Sequence, residues 1–534
     1  HNLDYYTPLL AKEIDDTTLK NITVQNYEIE INNAGKEIGI LTNNLSAVKL
    51  LDGINFRNVD ATIKSVSETL TFGFIAPSFD GQLGMLNAIH FTNCTIDVNA
   101  NNNSDAAVEI GFLVGKTTGG QIQFQDVLIG GENNKISISG TTGDAYIGGF
   151  IGNNNQTNVD LSSYKNTSSI ELIKNLTIDF NGVQTDAQAF VGLAFGVSNN
   201  VNAAGTNLII SGTITNKKKE GNSSNQQYPY VTIGGFAGKT DATFGTLVVD
   251  CGITVYAKSA KEITVTDKNG NDTKVERFSA IGGVIGEIAN DTEFGELTRK
   301  GNITVYAQGV KDSQIAIGGV VGKSLSHSLT FAESVSVDSS MMRVETMKQF
   351  KVYLAGVVGY ADLNQNKTIT FGNTINISTS FFGSANQLYF GGVLGNVTDT
   401  NTSETSSVEV SGNVNITNTS LITASANSAY VGGVIGYTTV ETTINGGASV
   451  KGKITVSGII NNAKIGGLVG IATSKLIVNA TTKTDGTISQ SDKSVIIESN
   501  IEVNVEKIES LNNPHIGGVF GSVGQNSVIY SSHY

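Results

Sequence analysis

Ile317-Gly-Gly-Val-Val-Gly322 is one of eleven near-copies of a single hexad between Ile110 and Gly521. Ile147-Gly-Gly-Phe-Ile-Gly152, Ile281-Gly-Gly-Val-Ile-Gly286, Val431-Gly-Gly-Val-Ile-Gly436 and Ile465-Gly-Gly-Leu-Val-Gly470 are others. Each is an apolar residue, two small ones, two apolars and a glycine. Two weaker versions precede them, at Ile38-Gly-Ile-Leu41 and Phe72-Gly-Phe-Ile75. The thirteen starts lie 34 to 51 residues apart, with a mean near forty. Self-similarity of this size marks a repeat architecture, in which each unit buries its apolar face only by stacking on its neighbours.

Every repeat carries two further apolar runs in fixed order. After Ile317 they are Leu329-Thr-Phe331 and Val335-Ser-Val337, and in the next repeat Ile369-Thr-Phe371 and Ile375-Asn-Ile377. Short alternating runs rich in β-branched residues, separated by Asn, Gly, Ser and Asp, are strand signals. The expected fold is therefore all-β: a parallel β-solenoid (β-helix), right-handed, of about thirteen rungs of about forty residues with three short strands each. A propeller is the competing architecture, but its blades need four strands and close at roughly four to eight copies. The 61 glycines, 4 prolines and absence of tryptophan agree, since a central strand needs its N–H for the ladder. The expected organisation is an N-terminal cap and first strands over 1–37, then one solenoid over 38–534. Thirteen rungs at about 4.8 Å would make a rod roughly 60 Å long.

Read with a period of two, the residue before the hexad faces outward, and it is Tyr at 146, 353, 389 and 430. The same alternation sends the fourth hexad residue outward. Phe150, Phe236, Val284, Val320, Val357, Val393, Val434 and Val519 would then form an apolar stripe for assembly or partner contact. The competing reading is a bend at the paired glycines that turns this residue back into the core. Insertions gather between the third strand of one repeat and the first of the next. Ile263 to Val275 reads as a hairpin, and Thr213–Tyr230 and Thr482–Asn513 are the other long excursions.

Pro8 to Ile14 reads as a short helix capping the first rung, followed by strands at Ile22–Val24 and Tyr27–Ile31. The sequence ends after Ser527–Tyr530 with no capping element in it, and two expectations follow: copies stacked head to tail would complete a rung, or the sequence is a fragment of a longer chain that continues the stack.

No run of eighteen apolar residues exists, so no segment is expected to span a membrane. Cys94 and Cys251 lie several rungs apart and are expected to be free, buried thiols. Of eighteen Asn-x-Ser/Thr sequons, loop positions Asn222 and Asn401 are the candidate glycosylation sites. A net charge of −13 without a basic block argues against nucleic acid. Gly115-Lys-Thr117, Gly238-Lys-Thr240 and Gly322-Lys-Ser324 brush against a phosphate loop but have the wrong glycine gap and precede strands, which makes them repeat grammar. The five histidines show no metal-ligand spacing, and no acidic pair recurs in register on one strand. No cofactor, metal or catalytic residue is expected.

With its hexads in view, the chain resembles GLUG-repeat proteins; Ile465-Gly-Gly-Leu-Val-Gly470 is the nearest copy, and the resemblance runs from Ile110 to Gly521. The resemblance implies a secreted or surface-attached β-solenoid stalk or adhesin. The expectation is a non-enzymatic, extracellular structural and adhesive rod whose partners are further copies of itself, end to end, or a cell-surface glycan or protein. A glycan-binding module built on the hairpins is the alternative, and a degenerate polysaccharide-active enzyme a more distant one.

Overall fold

The computed structural model describes the chain except residues 1, 4–6, 33–36, 67, 81–83, 101–105, 141–142, 155–156, 165–168, 182, 184–186, 218–227, 267–271, 310–312, 347–349, 365, 401–404, 418–421, 459–461, 483–487, 491–492, 506–513, 531 and 534. Asn222 and Asn401 lie outside the described residues. The chain forms two compact units, His1–Lys258 with Val284–Ala289, and Ser259–Gly283 with Asn290–Tyr534.

Each unit is a stack of parallel strands. In the first, the opening hexad residues Ile38, Phe72, Ile110, Ile147, Val191 and Ile233 are successive register partners. In the second, Ile281, Ile317, Leu354, Phe390, Val431, Ile465 and Ile516 continue in the same way. Parallel pairing of each hexad with the next copy is the signature of a β-solenoid and excludes propeller blades. The two antiparallel pairs described are hairpins: Ile263 opposite Val275, and Ala480–Thr482 with Ile488–Gln490. The first is the expected hairpin. The second departs from expectation, since it sits between Leu476–Val478 and Val495–Val505, inside a rung and not between rungs.

One rung shows how the sequence is spent. It consists of β1 (Gln314–Gly318), β2 (Val321–Leu325), β3 (Leu329–Phe331) and β4 (Val335–Thr346). The next repeats it as β5 (Lys351–Ala355), β6 (Val358–Asp362), β7 (Thr368–Phe371) and β8 (Ile375–Gly391). All four pair in parallel with their predecessors, and β4 bends where its register with β8 shifts between Asp338 and Met341. The hexad is thus two strands meeting at a corner, Gly319-Val320, and the rung has more than the three strands expected.

That corner corrects the apolar stripe. Phe150, Phe236, Val284, Val320, Val357, Val393 and Val434 are fully buried, and Val519 is 4% exposed. Alternation holds only along a continuous strand, and the bend resets it, returning the fourth residue to the core. The corner backbone is paired from rung to rung: Gly319 N donates to Ala355 O at 3.0 Å, Gly356 N to Gly392 O at 3.1 Å and Val357 N to Val393 O at 3.1 Å. None of the hexad glycines has a positive φ; what they lack is room. A Cβ on Gly356 would overlap the carbonyl oxygen of Gly392, and one on Gly392 that of Gly433.

Behind the corner the core is filled rung by rung. Phe294, Phe331 and Phe371 stack face to face at 4.8 and 4.6 Å, a contact worth about 0.5–1.5 kcal/mol beyond area burial. Other turns repeat a left-handed asparagine: Asn26, Asn58 and Asn93 have φ near 50°, a region asparagine tolerates. Asn58 Nδ2 donates to Asn26 Oδ1 at 2.9 Å and Asn93 Nδ2 to Asn58 Oδ1 at 3.3 Å.

The helix expected over Pro8–Ile14 is not formed. Leu9 N and Leu10 N instead donate to Ile40 O (2.8 Å) and Leu41 O (3.0 Å), and Ala11 bridges Thr42 in parallel. A seven-residue helix is marginal by itself, whereas the ladder edge offers acceptors ready in place. The strands expected at Ile22–Val24 and Tyr27–Ile31 are one element, Thr18–Asn32, in register with Leu50–Lys64.

Cys94 and Cys251 are free and buried, as the spacing predicts. Burial pushes the Cys94 thiol up to about 12, so little reactive thiolate exists near neutrality. Ellman's reagent at pH 8 is expected to find neither cysteine in the folded chain and both in denaturant. Rapid labelling of native protein would refute the packing around them.

Candidate functional site

The corner inside each hexad folds two files of outward side chains toward each other across a crease. In the second unit one file is Ala316, Tyr353, Tyr389, Tyr430 and Lys464, in register. The other is Lys323, Tyr360, Asn396, Tyr437 and Ile471. Each file arises because a parallel, in-register ladder places the same sequence position one strand spacing further along.

The tyrosines close over the crease. Tyr353 lies tilted against Tyr389 with ring centroids 5.0 Å apart, and Tyr389 stacks on Tyr430 at 4.7 Å. Across the crease, Tyr360 lies 4.7 Å from Tyr353, and Tyr437 stands nearly perpendicular to both Tyr389 and Tyr430 at 5.6 Å. Phe278 joins one end, edge-on to Tyr360 at 5.6 Å and beneath the Lys323 ammonium at 4.4 Å. Phe278, Ala316 and Tyr353 form a small buried cluster against which Tyr360 and Tyr389 pack. Tyr353 Oη donates to Gln314 Oε1 at 3.1 Å, and Asn462 Nδ2 donates to Tyr430 Oη at 3.0 Å.

Burial, then the neighbouring phenols, push the Tyr389 hydroxyl well above its ordinary value of 10.0. Tyr430 is raised by burial and by Tyr437, and Tyr437 by burial. A raised folded value means the fold prefers the neutral phenol. Its contribution is whole below pH 10 and is lost as pH rises toward the folded values. Alkaline titration is therefore expected to show these tyrosines ionising late, together with loss of β-sheet circular dichroism. Tyr389→Phe is expected to shrink that late fraction; an unchanged titration would show that Tyr389 ionises like an exposed phenol.

In the first unit the same crease is polar. Buried Glu109 accepts from Thr71 Oγ1 at 3.0 Å and from Asn153 Nδ2 at 2.6 Å, with Lys116 Nζ 3.8 Å away. Tyr146 and Phe190 stack at 5.2 Å, and Lys239 pairs with Glu287 at 2.8 Å. The lysines of the Gly-Lys-Thr and Gly-Lys-Ser runs, Lys116, Lys239 and Lys323, all stand at crease positions. They belong to the repeat, as expected, but also line its outer face. Among the described residues, no group of three His, Cys, Asp or Glu side chains is arranged to hold a metal, and no helix is long and apolar enough to cross a membrane.

Sequence reasoning placed the first file outward at Tyr146, Tyr353, Tyr389 and Tyr430 but missed the second. The signal was present: the residue just after the sixth hexad position is Lys, Asn or Tyr at 116, 153, 239, 323, 360, 396 and 437. Without the bend nothing indicates that this residue faces the tyrosine seven positions earlier. Compared with known proteins, the chain matches no family model, no curated protein and no solved structure.

Proposed function

We propose that this chain is a non-enzymatic structural and adhesive repeat protein of the cell exterior. The in-register ladder carries the reading: it repeats each outer position rung after rung, producing files of like side chains. Such a surface suits contact along its length, whereas catalysis needs unlike groups converging on one reacting atom. The buried carboxylate with the most protein-like claim to chemistry, Glu109, is already engaged by Thr71, Asn153 and Lys116. The extracellular placement follows from the GLUG-like hexads. Self-association is part of the reading.

Negative-stain imaging of native material, with an antibody against the chain, tests this. Surface-borne stalks or fibres are the expected result. A chain found only inside cells, and monomeric at micromolar concentration, would overturn it.

A second reading, a glycan-binding module, is favoured by the tyrosine crease. Phenols combine an apolar ring with a polar tip, the combination that a hydroxyl-rich ligand with apolar C–H faces requires.

A further inference from the structure

In the first unit the file that follows the bend reads Ser78, Lys116, Asn153, Val197, Lys239 and Glu287 in register. Lys116 and Asn153 are neighbours in it, on the parallel strands Val114–Thr117 and Ile151–Asn154. Their side chains therefore leave the same face of the sheet one strand spacing apart, about 4.8 Å. Across the crease stands Glu109, on Val108–Ile110. Its buried carboxylate meets both: Oε1 accepts from Asn153 Nδ2 at 2.6 Å and lies 3.8 Å from Lys116 Nζ, while Oε2 accepts from Thr71 Oγ1 at 3.0 Å. One carboxylate oxygen thus touches a primary amide and faces a primary amine. Asn153 is 5% exposed, and its Oδ1 has no hydrogen-bond partner among the described residues. A buried carbonyl left without a donor lowers stability, so the fold carries this amide at a cost. Elsewhere the files repeat like groups; here an amine, an amide and a carboxylate converge. The second unit offers no such meeting at Asn396, whose register neighbours are Tyr360 and Tyr437.

We propose that Lys116 and Asn153 join in an intramolecular amide cross-link between adjacent rungs, with Glu109 as its catalytic residue. The reaction begins when the Lys116 ammonium passes a proton to Glu109, which frees the amine lone pair. The amine attacks Cγ of Asn153; the Nζ–Cγ bond forms and the carbonyl electron pair moves onto Oδ1. Glu109, now a carboxylic acid, gives its proton to the Nδ2 that it already touches and takes one from Nζ. The carbonyl re-forms, the Cγ–Nδ2 bond breaks, and ammonia leaves, carrying the remaining proton into solvent as ammonium. Glu109 ends as the carboxylate it began as. Nothing is oxidised or reduced, and no co-reactant enters. Groups fixed by ladder register need no external catalyst to bring them together, and a single turnover per chain is enough, so slow chemistry suffices. The product ties one rung covalently to the next, constraining the unfolded chain as a disulfide would. This modification concerns the chain alone and does not depend on where the protein acts.

Intact-mass spectrometry of the full chain, with peptide mapping, tests the proposal. The parent is expected to be lighter than its sequence by one ammonia, and its digest to contain a branched peptide joining Lys116 to Asn153. Lys116→Arg keeps the positive charge beside Glu109 but cannot close the amide. It is expected to show the parent's circular dichroism, the full sequence mass and a lower unfolding temperature. Glu109→Gln is expected to leave the two side chains unjoined, and the Lys116→Arg result stands even if that variant does not fold. A folded parent at full sequence mass would overturn the proposal. So would an ammonia loss that persists in Lys116→Arg or maps to another asparagine. A Glu109→Gln chain that still cross-links would overturn the role of Glu109.

Discussion

Gly356→Val is expected to prevent the second unit from folding, whereas Gly130→Ala in the first is expected to be neutral or mildly stabilising. Both replace a glycine of the solenoid wall by a residue that carries a Cβ. The difference lies in space. A Cβ on Gly356 would overlap the carbonyl oxygen of Gly392 and approach Ile377 Cδ1 to 3.0 Å, while one on Gly130 meets nothing within 4 Å. The obstacle at Gly356 is backbone that cannot rotate away, and Gly392 is itself held by the equivalent constraint from Gly433. Relief would require two rungs to separate, breaking the bonds from Gly356 N to Gly392 O and from Val357 N to Val393 O. The cost is expected to exceed about 4 kcal/mol, in the range reserved for disrupted cores. Gly130→Ala is expected to gain about 0.4–1 kcal/mol through the unfolded chain. Urea unfolding followed by circular dichroism reads both. A Gly356 variant with the parent's midpoint would show that the rungs do not meet at this corner.

Val357→Asp is expected to be as damaging, by another route. Val357 is fully buried at the corner, so the carboxylate would enter a core built from apolar side chains. An unpaired buried charge costs several kcal/mol even after its pKa adjusts. Val357→Ala, which removes atoms without adding charge, is expected to cost about 2 kcal/mol. An outward stripe would behave differently, since surface substitutions usually stay within about 0.5 kcal/mol. The same unfolding measurement therefore separates the corner from uninterrupted alternation: a Val357→Asp chain as stable as its parent would restore the stripe.

The candidate site was half legible. Tyr353, Tyr389 and Tyr430 precede their hexads by one residue, and alternation along a continuous strand correctly turns them outward. Tyr360, Asn396 and Tyr437 follow the bend, where the strand rule no longer counts from the same origin. Their meeting with the first file is a property of the angle between two strands, and no residue spacing encodes it. The missing helix at Pro8–Ile14 has a related cause. Local composition permits a helical turn there, but the decisive partners, Ile40 O and Leu41 O, lie about thirty residues away and exist only once the next rung has formed.

Periodicity alone determined that this chain is an all-β stack of parallel rungs. A recurring hexad can satisfy its backbone and bury its apolar residues only against copies of itself, so repetition implies register. Tertiary structure alone decided which residues face the core and which face solvent. The paired glycines let the backbone turn within the hexad, and that turn, fixed by the close approach of neighbouring carbonyls, assigns Val357 to the interior and sets Asn396 in register between Tyr360 and Tyr437.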